Sequence, residues 1–578
     1  MPRILLVPIE FSTWHQARAW SYTGGYAFYD GMLENGIQCE MAPVIIDKTG
    51  ALDTRFVDHI RQHNLAKYDQ VWVWCVHANY PEQLWDYFKS ISDVRVGVLM
   101  ESLHFTPAEI IEFPHLQQRE ALVHQQLQHC THALSCCAKD ADNIEKALGI
   151  PAIWYPAMVP EQFVLFDNAP AGTHAAFVGN CYGERKQYLK EGRLDHLLCR
   201  PEHPERSTSL PDDFDTLMTS LPSQFSSETD YSQHLAALVE LRKALFTVHL
   251  QGMRQGLCNV NLPSILKAYA GRVIESMAAA VPVMSWIPAG EEQRNLFDSA
   301  QDLAFFNSVD DFATQFEMLS ADEQRRELMV ITARNKLLVR HTSRIRTHQL
   351  LQWVSKAQAP TYNVDLGYRP TAEETVYYKK FFTEQRGWSQ REPNSDERSR
   401  WDVIYRYIKD TAQADKTRQI VEVGCGRGWL SNLLSEFGAV TAVDPVGDVI
   451  HAAKQNFPQV NFLTGSADLL VEIGHGQKYD LLVCSEVIEH VPNPFKHSFA
   501  SALVKLVQAN GYLVLSTPRK DILEEWTQKY GVPGQPTEDW VTEQELADLF
   551  VANGCEVVAL NRAFLLDIYQ IYLFRKLA

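Results

Sequence analysis

The feature that most constrains this chain lies at residues 420–438, where the apolar run IVEVG leads straight into Gly424, Gly426 and Gly428 and then into the helical pattern WLSNLLSEFG. A strand-to-helix turn built on three glycines lets backbone approach a bound ligand closely and admits positive φ. It predicts a Rossmann-like α/β sheet with its ligand at the carboxyl ends of the strands. The spacing is G-x-G-x-G preceded by Glu422, whereas the dinucleotide fingerprint has two residues before its last glycine.

The segments that follow repeat the pattern. AVTAVD ends in Asp444, a strand-end carboxylate placed to accept from both hydroxyls of a ribose; capping a helix is the plainer alternative. VNFLTGSADLL ends near Ala467 and Asp468, and YDLLVCSEVIEHV delivers Ser485, Glu486, Glu489 and His490 to the same edge. LVQANGYLVLSTP and TEDWVTEQELADLFVANGCEVV then supply a strand, a helix and closing strands.

VEVGCGRGWLS is similar to the first motif of class I S-adenosylmethionine (SAM) methyltransferases. The ordered set, with its E-V-x-E-H-V string, resembles the ubiquinone-biosynthesis type of O-methyltransferase over roughly residues 400–578. The resemblance implies SAM held by Glu422, Gly424, Gly426, Gly428, Asp444, Ala467, Asp468, Ser485 and Glu486, with adenine gripped at Ala467 and Asp468. In-line methyl transfer to a hydroxyl needs alignment and removal of one proton. His490 is the candidate base, with Glu489 beside it; packing and hydrogen bonding at a strand-to-helix junction is the alternative for both.

Upstream, ILLVPI, VWVWCV, VRVGVLM and HALSCC alternate with helical patterns, which predicts a parallel α/β lobe over 1–167. AAFVGN, CNVNLP and VPVMSW, ending in ADEQRRELMVITARNKLLVRH, predict a second lobe over 168–356. Residues 201–231 read as an irregular insertion whose DDFD run is a solvated polar turn. Residues 357–400 read as a linker and helical lead-in with a polar loop, SQREPNSDERSR, before a third domain at 401–578. The fold class expected is α/β throughout, three Rossmann-like domains in a row.

KAYAGRVIESMAAAVPVMSW resembles the nucleotide-sugar segment of GT-B glycosyltransferases, R-x-x-E-x-M-A-x-G-x-P-V, with Ala280 where that family usually has Gly. FVGNCYGERKQYL and RHTSRIRTHQLLQWV are similar to the start and the closing helix of the GT-B second domain, and the spore-maturation-protein-like group is the nearest likeness. The resemblance implies a nucleotide-sugar donor held by Gly179, Arg185, Lys267, Arg272 and Glu275. A surface ion pair is the alternative for Arg272 and Glu275. The GT-B likeness also implies no tightly bound metal, and Glu101, after VRVGVLM, is the best-placed base if the sugar is transferred with inversion.

Length and charge bound the rest. A chain of 578 residues exceeds one core, and its net charge of −18 disfavours nucleic acid as a partner. No signal peptide or membrane-spanning run is read, and eleven scattered cysteines suit reduced thiols in the cytoplasm. The combined expectation is a bifunctional glycosyltransferase and O-methyltransferase acting on one glycan or glycoconjugate. A methyltransferase with a non-catalytic glycan-binding GT-B-like domain and an enzyme tailoring a small-molecule natural product are the alternatives.

Overall fold

The computed structural model describes residues 2–578 apart from 18–21, 23, 64–66, 168–171, 180, 191–193, 195, 201–209, 265–270, 288–295, 298–300, 363–367 and 412–417. The chain divides into two compact units, Met1–Asn363 and Val364–Ala578. Among the described residues no helix is long and apolar enough to cross a membrane.

The first unit holds two parallel sheets. In one, the strands Gln38–Met41, Arg3–Val7, Gln70–Trp74, Arg95–Leu99, His132–Ser135 and Ala152–Trp154 lie in that order. In the other the order is Leu198–Cys199, Ala175–Ala176, Cys258–Asn261, Val283–Trp286 and Ala304–Phe306. Each order reverses beside its first strand, the hallmark of doubly wound α/β lobes. The central strands QVWVW and CNVN are buried along their whole length because helices cover both faces of a parallel sheet.

The last helix of this unit, Ser343–Lys356, returns to the first lobe. Thr342 forms a parallel bridge with Val159, and Asn35 donates to the Arg344 carbonyl at 2.8 Å. A Cβ on Gly31, in the helix Tyr26–Glu34, would come within 2.3 Å of Thr347 Oγ1, so only glycine admits this crossing.

Two polar stretches fold differently from expectation. Leu210–Ser220, which contains DDFD, is a helix. Phe214 is fully buried, its ring 5.8 Å from that of Trp14, and Asp215 accepts from the Trp14 backbone N–H at 2.9 Å. The acids of DDFD hide a helical apolar stripe, Leu210, Phe214, Leu217 and Leu221, and Asp212 and Asp213 favour the helix by standing in its first turn. In the second unit, the expected loop before residue 401 is non-helical only over 389–394, and its second half is the start of the helix Ser395–Asp410. Asn394 and Glu397 form a reciprocal capping box, so these polar residues satisfy a helix end.

The sheet of the second unit runs Asn461–Thr464, Gly438–Asp444, Arg418–Val423, Tyr479–Ser485, Val507–Pro518, Tyr569–Lys576 and Cys555–Ala563. The first five strands are parallel, Tyr569–Lys576 runs antiparallel to them, and Cys555–Ala563, antiparallel to Tyr569–Lys576, runs in the direction of the first five. The chain order reverses between Arg418–Val423 and Tyr479–Ser485, and an open sheet has its ligand crevice beyond the carboxyl ends at such a point. Both the glycine turn and the Glu486–His490 segment leave the sheet there.

Candidate active site

A cavity of about 520 Å³ opens at that edge of the second unit. Its floor is the glycine turn. Gly424 has φ +76°, and a Cβ there would sit 2.2 Å from Val487 Cγ2, so the chain is glycine for conformational and steric reasons together. Above the turn lies the Phe382 ring, 3.1 Å from where a Cβ of Gly426 would stand.

Asp444 ends its strand inside the cavity. One carboxylate oxygen accepts from the Gly426 N–H at 3.1 Å and the other from the Val446 N–H at 3.0 Å. Each oxygen keeps a second lone pair for another donor. Burial pushes the group up to about 6, although the two N–H bonds pull it back. Glu422 lies behind the turn, fully enclosed, and accepts from the Ser431 hydroxyl; burial pushes it up to about 8. It supports the turn from beneath and does not line the cavity.

Of the other residues implied for SAM, Ala467 and Glu486 line the cavity. Asp468 and Ser485 stand outside its lining, as do the backbones of Gly426 and Gly428. Ser466 caps the short helix that begins at Ala467 and takes the wall position next to Gly465. Asp468, one residue into that helix, is half-buried, which holds it above the usual carboxylate range.

The opposite wall carries Glu486, Glu489 and His490. Glu486 adopts φ +59°, a strained value for a side chain of this size, and its N–H donates to the Ser516 carbonyl at 2.8 Å. Its carboxyl accepts from Ser516 Oγ at 2.6 Å and lies 3.2 Å from the Arg400 guanidinium. Glu489 accepts from Thr517 Oγ1 at 2.9 Å. Burial raises both carboxyls above the usual range; the neighbouring Glu489 adds to the rise of Glu486, and Glu538 to that of Glu489.

His490 Nδ1 lies 2.8 Å from the Thr537 carbonyl oxygen. A carbonyl only accepts, so Nδ1 carries the hydrogen and the neutral ring presents an unprotonated Nε2. Glu489 Oε1 stands 3.7 Å from Nε2.

The roof was the part least legible in the chain. The helix Ala372–Thr383 stacks Tyr377 on Phe381 and Tyr378 near Phe382, with ring centroids 5.7 and 6.4 Å apart. Tyr378 also lies 5.8 Å from the His490 ring. Glu374 accepts from Thr537 Oγ1 at 2.6 Å and from the Tyr368 hydroxyl at 2.7 Å, tying this helix to the loop whose carbonyl orients His490. The i, i+4 aromatic pairs in VYYKKFF were the available signal. Arg400, Thr537, Glu538 and Trp540 carried none.

In the first unit, Arg185 and Arg272 flank Phe177, their guanidinium carbons 5.4 and 5.0 Å from its centroid. Arg185 donates to the Pro263 carbonyl at 2.7 Å, and Arg272 to the Val178 carbonyl at 2.8 Å and to Asn261 Oδ1 at 3.1 Å. Burial lowers both, Arg185 to about 10, and their proximity lowers Arg185 further. Gly179 lies against Arg272: a Cβ there would come 2.7 Å from a guanidinium nitrogen. Glu275 is buried 3.2 Å from His249 Nε2. Lys267 lies outside the described residues. Ala280, where glycine is usual, adopts φ +55° at the end of its helix.

Glu101 lies between His77 Nε2, at 3.1 Å, and the Arg119 guanidinium. These two partners outweigh its burial and hold it at about 2, so the geometry suits keeping a charge more than taking a proton. His104, Cys137 and Asp140 gather a ring nitrogen, a thiol and a carboxylate within 4.8 Å. There His104 Nδ1 donates to Asp140 at 2.8 Å, and the Ser102 hydroxyl and Leu103 N–H also bond Asp140.

Comparison with known proteins agrees with this division. A family described as Methyltransferase domain matches residues 388–560, and one described as Glycosyl transferase-like matches 225–352. Ubiquinone biosynthesis O-methyltransferase of Shewanella pealeana is 32% identical over 121 residues, 20% of this chain and 50% of that protein. The mitochondrial enzyme of the same name from Schizosaccharomyces pombe is 35% identical over 111 residues, 18% of this chain and 40% of that protein. The chain thus spans about half the length of the curated relatives it matches. A solved structure of magnesium protoporphyrin IX methyltransferase from Synechocystis, with bound SAH, is 19% identical, covering 35% of this chain and 99% of that one with a TM-score of 0.29. The chain joins a glycosyltransferase-like domain to a methyltransferase domain.

Proposed function

We propose that the second unit is a SAM-dependent O-methyltransferase and that the first transfers a sugar from a nucleotide donor, both acting on one glycan or glycoconjugate in polysaccharide synthesis. The cytoplasm is the expected compartment, since all eleven cysteines are free thiols.

The observation that carries the methyl-transfer reading is the pairing, across one cavity, of Asp444 with His490. The residues fit the cofactor: a positive-φ glycine, Gly424, whose backbone borders the cavity, and a strand-end carboxylate with lone pairs left for two hydroxyl donors. SAM supplies an electrophilic methyl on a sulfonium, which departs as S-adenosylhomocysteine when an oxygen takes the methyl. The protein holds the acceptor beneath the aromatic roof and removes its proton at His490 Nε2, the nitrogen that the Thr537 carbonyl leaves unprotonated. Glu489 stabilises the imidazolium that results.

In the first unit, two buried guanidiniums on one phenylalanine ring form a site that a diphosphate would neutralise, and this supports the nucleotide-sugar reading. Tethering the two activities would raise the concentration of the first product at the second site.

Two measurements test the proposal. His490→Gln should lower the methyl-transfer rate by roughly 10²–10⁴-fold while S-adenosylhomocysteine still binds. An unchanged rate removes His490 as base. Arg272→Ala should abolish nucleotide-diphosphate binding to the full chain; retained affinity contradicts the donor site and favours a glycan-binding role.

A further inference from the structure

The walls of the methyltransferase cavity are rings, among them Tyr378, Phe381, Trp388, Phe499 and Trp526. Its charged lining is lopsided. Beyond Asp444 on the cofactor side, the described residues contribute the carboxyls of Asp396, Glu486, Glu489 and Glu538, and one permanent cation, Arg400.

The charge of Arg400 is already matched. Its Nη1 lies 3.2 Å from Glu486 and 3.9 Å from Asp396, and its guanidinium stands 4.7 Å above the Tyr569 ring. A phosphate or carboxylate entering here would meet four carboxyl groups and no cation left unmatched, and an anion desolvated among acceptors with nothing to neutralise it binds poorly. A neutral ring with hydroxyl groups meets the opposite situation. Its C–H faces lie on aromatic surfaces while its hydroxyls donate to carboxylate oxygens.

We infer that the methyl acceptor enters as an uncharged, ring-shaped, hydroxyl-bearing group, and that this cavity refuses the same ring when it carries phosphate or carboxylate. A sugar still attached to its nucleotide is refused with them. Methylation therefore follows release of the sugar from its phosphate, and the reaction that supplies this substrate is a glycosyl transfer. The inference rests on the methyl-transfer reading of the same site.

The test uses the full chain saturated with S-adenosylhomocysteine and two probes, phenyl β-glucoside and phenyl β-glucuronide, which differ in the carboxylate. Calorimetry should give the glucoside at least about tenfold tighter binding than the glucuronide, and Glu538→Gln should narrow that gap. Tyr378→Ala, which removes a ring from the wall, should weaken the glucoside and so tie the signal to this cavity. Equal or tighter binding of the glucuronide overturns the inference, as does the absence of heat from the glucoside. Failure of S-adenosylhomocysteine itself to bind removes the methyl-transfer reading beneath it.

Discussion

Asp444→Asn isolates the group on which cofactor binding turns. In the wild-type, two lone pairs of the carboxylate hold the Gly426 and Val446 N–H groups, and two remain for ribose hydroxyls. A hydrogen bond to a charged acceptor contributes about 1.5–3 kcal/mol. The amide keeps one acceptor oxygen and turns an NH₂ toward a backbone N–H and a hydroxyl, so one charged bond is lost and the other weakened, for about 2–4 kcal/mol in total. At about 1.4 kcal/mol per tenfold, the dissociation constant for S-adenosylhomocysteine should rise roughly 30- to 700-fold.

Isothermal titration calorimetry on the full chain reads this directly, with the melting temperature as a check on folding. A second signature follows from burial. Asp444 must be ionised to accept from two hydroxyls, and it titrates near 6 in the ligand-free protein, so wild-type affinity should fall as pH drops below that value. The asparagine variant should lose this dependence. A change in affinity of less than about threefold, in a folded variant, would refute the assignment of Asp444 to the ribose.

Two other outcomes concern the same unit. Asp444 and Glu422 are raised by burial to about 6 and about 8, so the folded state binds protons that the unfolded chain has released above about pH 4. Their contribution to stability is complete at low pH and is lost as pH rises through those values. The melting transition that S-adenosylhomocysteine shifts should therefore move down between pH 5 and pH 8.5, on the order of the spacing of these groups, and a flat or rising profile would contradict the burial argument. Gly424→Ala should destabilise that transition by about 2–5 kcal/mol, the sum of a left-handed alanine and an overpacked methyl. Adding Val487→Ala should restore part of the loss, since Val487 is what the new Cβ strikes; an additive loss in the double variant would locate the strain elsewhere.

The floor of the cavity was legible in the chain because its chemistry is local: Gly424 and Asp444 each sit where a strand ends, and strand ends can be read from apolar runs. The roof was not, since Arg400, Glu538 and Trp540 reach the cavity by tertiary packing from segments whose composition is that of ordinary loops and helices. Asn394–Glu397 shows the other source of error. Polar residues that cap a helix and polar residues that face solvent have the same composition, and only the three-residue spacing of the capping box separates them. Asp468, in the first turn of its helix, and Ser485, the last residue of its strand, show what a motif leaves open: it fixes a residue's place along the chain but not which way its side chain points.

The bond from Thr537 Oγ1 to Glu374 also determines where this enzyme can be cut. A fragment beginning at Trp401 retains all three glycines and Asp444 and would pass any search for the cofactor motif. It lacks the helix Ala372–Thr383, the anchor of the Thr537 loop and half the rings above the floor. Such a piece is expected to behave as a nucleoside-binding protein with nowhere to seat a substrate, so the smallest unit expected to turn over begins near Tyr368, about fifty residues before the first strand of its sheet.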